Sequence, residues 1–417
     1  MMIRKFSSVA LGGLISTIAT YFLTVILSHL LTTEEYGMMA RWLTDIGYVS
    51  IFFTLGLNSS MIFFTRHDIR ISESMGFNLV MYTSILVVMI IVSLLFASKW
   101  LYLLTLLLTV FFFSLNEVVR ANYQFEQKFG MFNFMVAFRP LLLLSVFLLL
   151  YYFVRSIEID TSLIFYTISM AASTILFYSI YFFNGNKITF PSRNKLNYKH
   201  YFSYGAKSIL NQLLSLSLYA ISIYIVSWIG DYTYVAYFFV ASSISKMVWV
   251  LPDSSGNILY PIFIKATDEE KKREALKSMY THAQLVFLFN TLAFLLFLML
   301  GRWILSILYE EVYQQAFVPI LVLLVGNQGM VYYKLFSRWH AAQNTWRYVY
   351  IATVLGIITN VLLNLVLIPQ YGLLGVAFAT SFSFWVCGIA ICIPIKGSFW
   401  NFLNLANLWK HRAIIWR

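Results

Sequence analysis

The chain has 417 residues, of which 60% are hydrophobic and 11% charged, and it carries a net charge of +12. That balance excludes a soluble globular protein, whose core could not hide so much apolar surface from water. It also leaves no length for a separate soluble catalytic domain, because about twelve apolar stretches of about 25 residues take up most of the chain.

Each stretch is long enough as a helix to cross a hydrocarbon core of about 30 Å. The first, 7–31, follows the basic Arg4 and Lys5. It is too long for a signal-peptide core and lacks a small-x-small cleavage site, so it reads as a retained helix. Five more spans are predicted at 39–64, 76–97, 101–121, 131–154 and 161–183. A second six follow at 205–229, 234–262, 281–300, 316–337, 348–368 and 372–394. The expected fold is an all-α integral membrane protein of about 12 transmembrane helices, in two pseudo-symmetric six-helix bundles around a central cavity.

The connection NGNKITFPSRNKLNYKH, 184–200, is the longest polar interruption in the first two-thirds of the chain and divides the spans six and six. The expected organisation is therefore an N-terminal lobe at 1–183, a cytoplasmic linker at 184–204, a C-terminal lobe at 205–394 and a tail at 395–417. The tail gathers Phe399, Trp400, Phe402, Leu403, Trp409 and Trp416 beside Lys410, His411 and Arg412, which reads as an interfacial amphipathic helix. With both termini cytoplasmic, most of the 29 basic residues fall on inner connections. The outer ones hold only Arg41, Lys99, Arg155 and Arg302. This skew supports an even number of spans and accounts for the net charge without a nucleic-acid partner.

On the first span Thr17, Thr20 and Thr24 fall on one polar stripe, and on the seventh Ser208, Asn211 and Ser215 do the same. Close helix packing and the lining of a wet cavity both explain such stripes. Their recurrence at equivalent places in the two halves favours the cavity.

Charges at membrane depth are the most informative residues, since an ionised group there costs at least about 2.5 to 3.5 kcal/mol. Arg139, Lys207, Lys246 and Lys334 outnumber Asp45, Glu117 and Asp253. Arg41 lies four residues before Asp45, and Glu117 three before Arg120, so each of these pairs either self-neutralises or serves the passage. Lys246 and Asp253 are seven apart with Pro252 between them, which suggests a kinked helix carrying a gating ion pair. Arg139, just before Pro140, has no acid within two turns of its helix and is expected to be unpaired. Lys207 and Lys334, nearer the span ends, either snorkel to headgroups or face the passage.

No metal-ligand cluster, phosphate loop or catalytic triad is recognisable, and the spacing of Cys387 and Cys392 suits neither a disulfide nor a metal. No catalytic residue, metal or cofactor is expected. The carboxylates Asp45, Glu117 and Asp253 are candidates for proton or sodium coupling or for gating.

Four short segments carry a family resemblance. They are Leu31-Thr32-Thr33-Glu34-Glu35-Tyr36-Gly37 with Gly56-Leu57-Asn58-Ser59-Ser60, then Tyr234-Val235-Ala236-Tyr237, and lastly the segment from Asn364 to Ala377 containing Pro369, Gly372 and Gly375. In these the chain resembles the polysaccharide transporter (Wzx-type) branch of the multidrug, oligosaccharidyl-lipid and polysaccharide exporter superfamily. The resemblance implies a flippase that carries an undecaprenyl-pyrophosphate-linked oligosaccharide, of O-antigen or capsule type, across the bacterial cytoplasmic membrane by alternating access. It implies that lipid, the glycan carrier and, in the cell, polysaccharide polymerase and chain-length machinery are the partners. Arg139, Lys246, Lys207, Lys334, Arg41 and Arg120 are then candidates for the diphosphate. The alternatives are a drug or cation antiporter of the same superfamily and a membrane polymerase or ligase. The first fits poorly with a first span that has neither carboxylate nor proline. The second fits poorly with outer connections no longer than about 15 residues.

Overall fold

The structure, a computed structural model, describes residues 2–64, 71–96, 100–126, 128–189, 198–229 and 231–395. The predicted tail helix lies outside them, as does much of the predicted linker. Every long element among the described residues is an α-helix: α1 (Met2–Leu30), α2 (Thr33–Thr54), α3 (Leu57–Phe64), α4 (Ile71–Phe96), α5 (Trp100–Phe125), α6 (Phe129–Phe153), α7 (Ile159–Phe183), α8 (Tyr198–Ile229), α9 (Tyr232–Lys246), α10 (Val250–Lys265), α11 (Glu269–Leu308), α12 (Phe317–Ala342), α13 (Trp346–Tyr371) and α14 (Leu373–Cys392). Eleven segments are long and apolar enough to cross a membrane. They correspond to all the predicted spans except 39–64.

That span is two helices. The chain turns left-handed at Leu55 and Gly56, with φ of 48° and 64°, which ends α2 and starts α3. Its first half also carries Glu34, Glu35, Arg41 and Asp45. The second span of the C-terminal half, 234–262, is interrupted as well. There α9 passes through a single 3-10 turn, Met247–Trp249, into α10. Pro252 falls in the first turn of α10, where its missing N–H costs no helix bond. Interrupted spans at matching chain positions are where transporter folds of repeated halves build binding sites.

By internal contacts the chain divides into two compact units, Met1–Leu216 and Ser217–Arg417, with the division inside α8. In the first unit α5 is the hub, touching α2, α3, α4, α6 and α7, while α1 runs along α6. Glu35 closes one end of this unit. Its carboxylate completes a capping box with Thr32 and accepts the Ile159 N–H at 3.1 Å, and the Ile157 N–H reaches the Leu30 carbonyl at 3.0 Å. In the second unit α12 is the hub, bordered by α9, α10, α11, α13 and α14. Gly329 on α12 and Gly388 on α14 bring the two backbones into contact that a Cβ would block. Leu259, Phe263, Met279, Phe336 and Phe384 fill the core around this hub.

The helix at Pro369 does not end where the proline predicts. α13 continues to Tyr371 and stops at Gly372, whose φ of 53° suits glycine. Pro369 gives up its own N–H bond in the last turn, and the positive φ three residues after Pro369 in fact ends the helix.

Candidate functional site

Within the first unit, a cavity of about 520 Å³ opens beside the α2–α3 break. Its wall takes Ser50, Thr54, Gly56, Asn58 and Ser59 from the broken span, Phe113, Glu117, Arg120, Ala121 and Gln124 from α5, and Ser208, Asn211 and Gln212 from α8. A polar network fixes that wall. Ser59 and Ser208 share a hydrogen bond at 2.8 Å, Gln212 donates to Ser208 at 2.9 Å, and the Tyr82 hydroxyl donates to the Asn58 carboxamide oxygen at 3.0 Å. The Tyr201 hydroxyl donates to Asn78 at 3.1 Å, and Ser60 donates to the Tyr201 carbonyl at 2.8 Å. α8 is thus stitched to the start of α3, where Gly56 and Gly205 meet backbone to backbone.

The charges of this unit are paired across and along helices. Glu117 forms the expected i,i+3 pair with Arg120. Arg139 departs from expectation. Its own helix supplies no acid, yet α6 lies against α5 and brings its guanidinium within 3.9 Å of Glu117 and over the Phe113 ring at 4.8 Å. Sequence separation could not reveal this pair, which is made by tertiary packing. Arg41 and Asp45 pair at 3.2 Å as i,i+4 neighbours, and the Tyr102 hydroxyl donates to Asp45 at 2.5 Å.

Of the predicted cavity-lining residues, Ser208 and Asn211 line the cavity, whereas Ser215 does not. Nor do Thr17, Thr20 and Thr24. Their hydroxyls donate to carbonyls of their own helix, at Gly13, Ser16 and Tyr21. A hydroxyl that bonds back one turn is satisfied without water, and Thr20 is nonetheless exposed while Thr24 is buried. Lys207 lies on α8, and its side chain is outside what the structure describes.

In the second unit the cations gather at the α9–α10 interruption. Lys246 does not pair with Asp253, because the 3-10 turn takes the two off a common face. Its ammonium lies over Tyr219 at 4.9 Å and Trp249 at 5.8 Å. Asp253 is held instead from α12, by Lys334 at 2.6 Å and Arg338 at 3.4 Å, and Arg338 also donates to the Asp253 carbonyl at 2.9 Å. Lys334 therefore does not snorkel outward. It is largely enclosed, with its ammonium 4.3 Å above the Trp249 ring. Trp249 is itself fixed by donating to Asn327 at 2.9 Å. Sequence reading passed over Trp249, Phe113 and Gln124. Their signal was position, since each sits within a helical turn or two of a charge at membrane depth.

The charge balance has a sign. Arg120 and Arg139 share one carboxylate, Glu117, for an excess of one positive charge. Lys334 and Arg338 share one carboxylate, Asp253, while Lys246 lies over Trp249 with no carboxylate among the described residues in ion-pair range. A cation held at membrane depth without a carboxylate, as Lys246 is, is costly unless an anion joins it.

A family model described as polysaccharide biosynthesis protein matches residues 26–318. Nothing among the curated proteins matches the chain. Among solved structures the chain is similar to the lipid II flippase MurJ in an inward closed conformation, with 14% identity and a TM-score of 0.75 over 95% of this chain and 90% of that one. It is also similar to a multidrug resistance MATE family transporter of the MOP superfamily. The inward-facing form gives 14% identity and a TM-score of 0.73 over 95% and 96% of the two chains. The outward-facing form gives 13% and 0.69 over 97% and 96%. At such identities the likeness is one of fold, that of multi-span membrane transporters.

Proposed function

We infer the function from one premise: the chain belongs to the polysaccharide biosynthesis protein family, and its fold is that of a multi-span membrane transporter. The proposed activity is the flipping of an undecaprenyl-pyrophosphate-linked oligosaccharide, an O-antigen or capsule-type repeat unit, from the inner to the outer leaflet of a bacterial cytoplasmic membrane by alternating access. The protein acts as a carrier and not as an enzyme, with both termini cytoplasmic and with polymerase and chain-length machinery as downstream partners. The observation that carries this reading is the gathering of more cations than carboxylates beside the α2–α3 break, from α5 and α6, and at the α9–α10 interruption. A diphosphate supplies the missing negative charge, and arginine and lysine are the residues that bind it. A drug or cation antiporter would need the opposite excess, and a polymerase would need reactive groups that the described helices do not display.

Two measurements test the reading. In cells lacking the gene, surface glycan should disappear while lipid-linked precursor accumulates on the inner leaflet, and the purified protein in proteoliposomes should restore precursor to the opposite leaflet. Precursor that crosses at the same rate without the protein removes the flippase assignment. Coupling to protons or sodium is assigned to one of Asp45, Glu117 and Asp253. Transport into proteoliposomes is expected to fall about tenfold or more either when the proton gradient is collapsed or when sodium is omitted. A rate unchanged under both conditions leaves these carboxylates a gating role only.

A further inference from the structure

The 520 Å³ cavity of the first unit holds one end of the Glu117 cluster, but the rest of its wall is mostly uncharged polar side chains, and that part suits a different part of the cargo. We propose that this cavity is the sugar subsite, and that it reads the glycan through neutral carboxamides while the diphosphate rests on cations beside it. This rests on the flippase reading above and deepens it.

Charge is the first argument. Among the described residues the ionised groups in the wall itself are Glu117 and Arg120, which pair with each other, so the wall carries no net charge and the surplus charge of Arg139 lies behind Phe113. It is a poor host for a diphosphate and equally poor for a drug cation. Its donors and acceptors are the second argument. Asn211 and Gln124 make no hydrogen bond among the described residues, and Gln212 and Asn58 each spend only one end of the carboxamide inside the protein. A carboxamide offers a donor and an acceptor side by side. That matches a sugar hydroxyl, which is also both. The volume falls in the range of small-ligand pockets, and Phe113 adds an apolar surface for a sugar ring face. Adjacency is the third argument. Sugar and diphosphate are directly bonded in the cargo, so a sugar subsite needs a cation next to it. Arg139 stands on the Phe113 ring that forms part of the wall.

The test uses the full-length protein in nanodiscs and two probes, the lipid-linked oligosaccharide extracted from cells lacking the gene and bare undecaprenyl pyrophosphate. The double substitution Asn211→Ala with Gln212→Ala is expected to weaken binding of the oligosaccharide lipid about tenfold or more, as the loss of two hydrogen bonds implies. Binding of the bare carrier should change less than twofold. Should the variant prove unfolded, Asn211→Leu alone, which keeps the size and charge and removes donor and acceptor, is to show the same selective loss. Equal weakening of both probes, or of neither, overturns the sugar assignment and leaves the flippase reading standing. Wild-type protein that binds neither probe overturns both.

Discussion

Replacing Gly56 by Val is expected to remove most of the folded protein. Gly56 sits at φ of 64°, and a Cβ built there runs into the carbonyl of Gly205. Left-handed backbone costs an ordinary residue about 1–2 kcal/mol, and a β-branched one more. Overpacking against rigid backbone adds about 1–3 kcal/mol. Together these approach about 3 kcal/mol or more, a large part of the usual stability of a folded domain. The variant should show a strongly lowered membrane level and a lowered melting temperature in detergent, and Gly56→Ala should fall between it and wild type. A valine variant that melts with the wild type would mean that the α2–α3 break relaxes freely, and would remove the break as a fixed element of the site.

Arg139→Ala should abolish glycan export at normal protein level. If the diphosphate meets this guanidinium, removing it restores a barrier of about 2.5–3.5 kcal/mol for an ionised group at membrane depth. That is roughly a hundredfold in rate. Arg139→Lys should recover only part of the activity, since it keeps the charge and loses the planar fork that grips a phosphate in two places and stacks on Phe113. Flipping of the extracted oligosaccharide lipid in proteoliposomes measures both variants. Full export by the alanine variant takes Arg139 out of the passage and makes its contact with Glu117 purely structural.

Hydrophobic periodicity made the spans legible, because a helix must be apolar for about 20 residues to cross a bilayer whatever it packs against. It failed at 39–64 for a local reason. Leu55 and Gly56 adopt left-handed backbone inside an otherwise unbroken apolar run, and only the Gly gave a hint of it. Pairs on one helix, Arg41 with Asp45 and Glu117 with Arg120, were readable from spacing. Partners on different helices were not. Arg139 meets Glu117 from twenty-two residues away, and Lys334 takes Asp253 from eighty-one. The stripe on the first span is not decided by its polarity, because a threonine hydroxyl can satisfy itself on the preceding turn whether or not it also meets water.

The Glu35 carboxylate has a mechanical consequence for the first unit. By holding the Thr32 and Ile159 amides, it buckles the end of α1, the start of α2 and the start of α7 into one knot, and the Ile157 amide draws in the chain leaving α6. At the far end of α2 the helix gives way at two left-handed residues that rest on another glycine. The unit is thus tied at the Glu35 end and bent at the Gly56 end. The far end is not loose either: Asn58 is held by Tyr82 and Ser59 by Ser208, so the broken span is anchored on both sides of its joint.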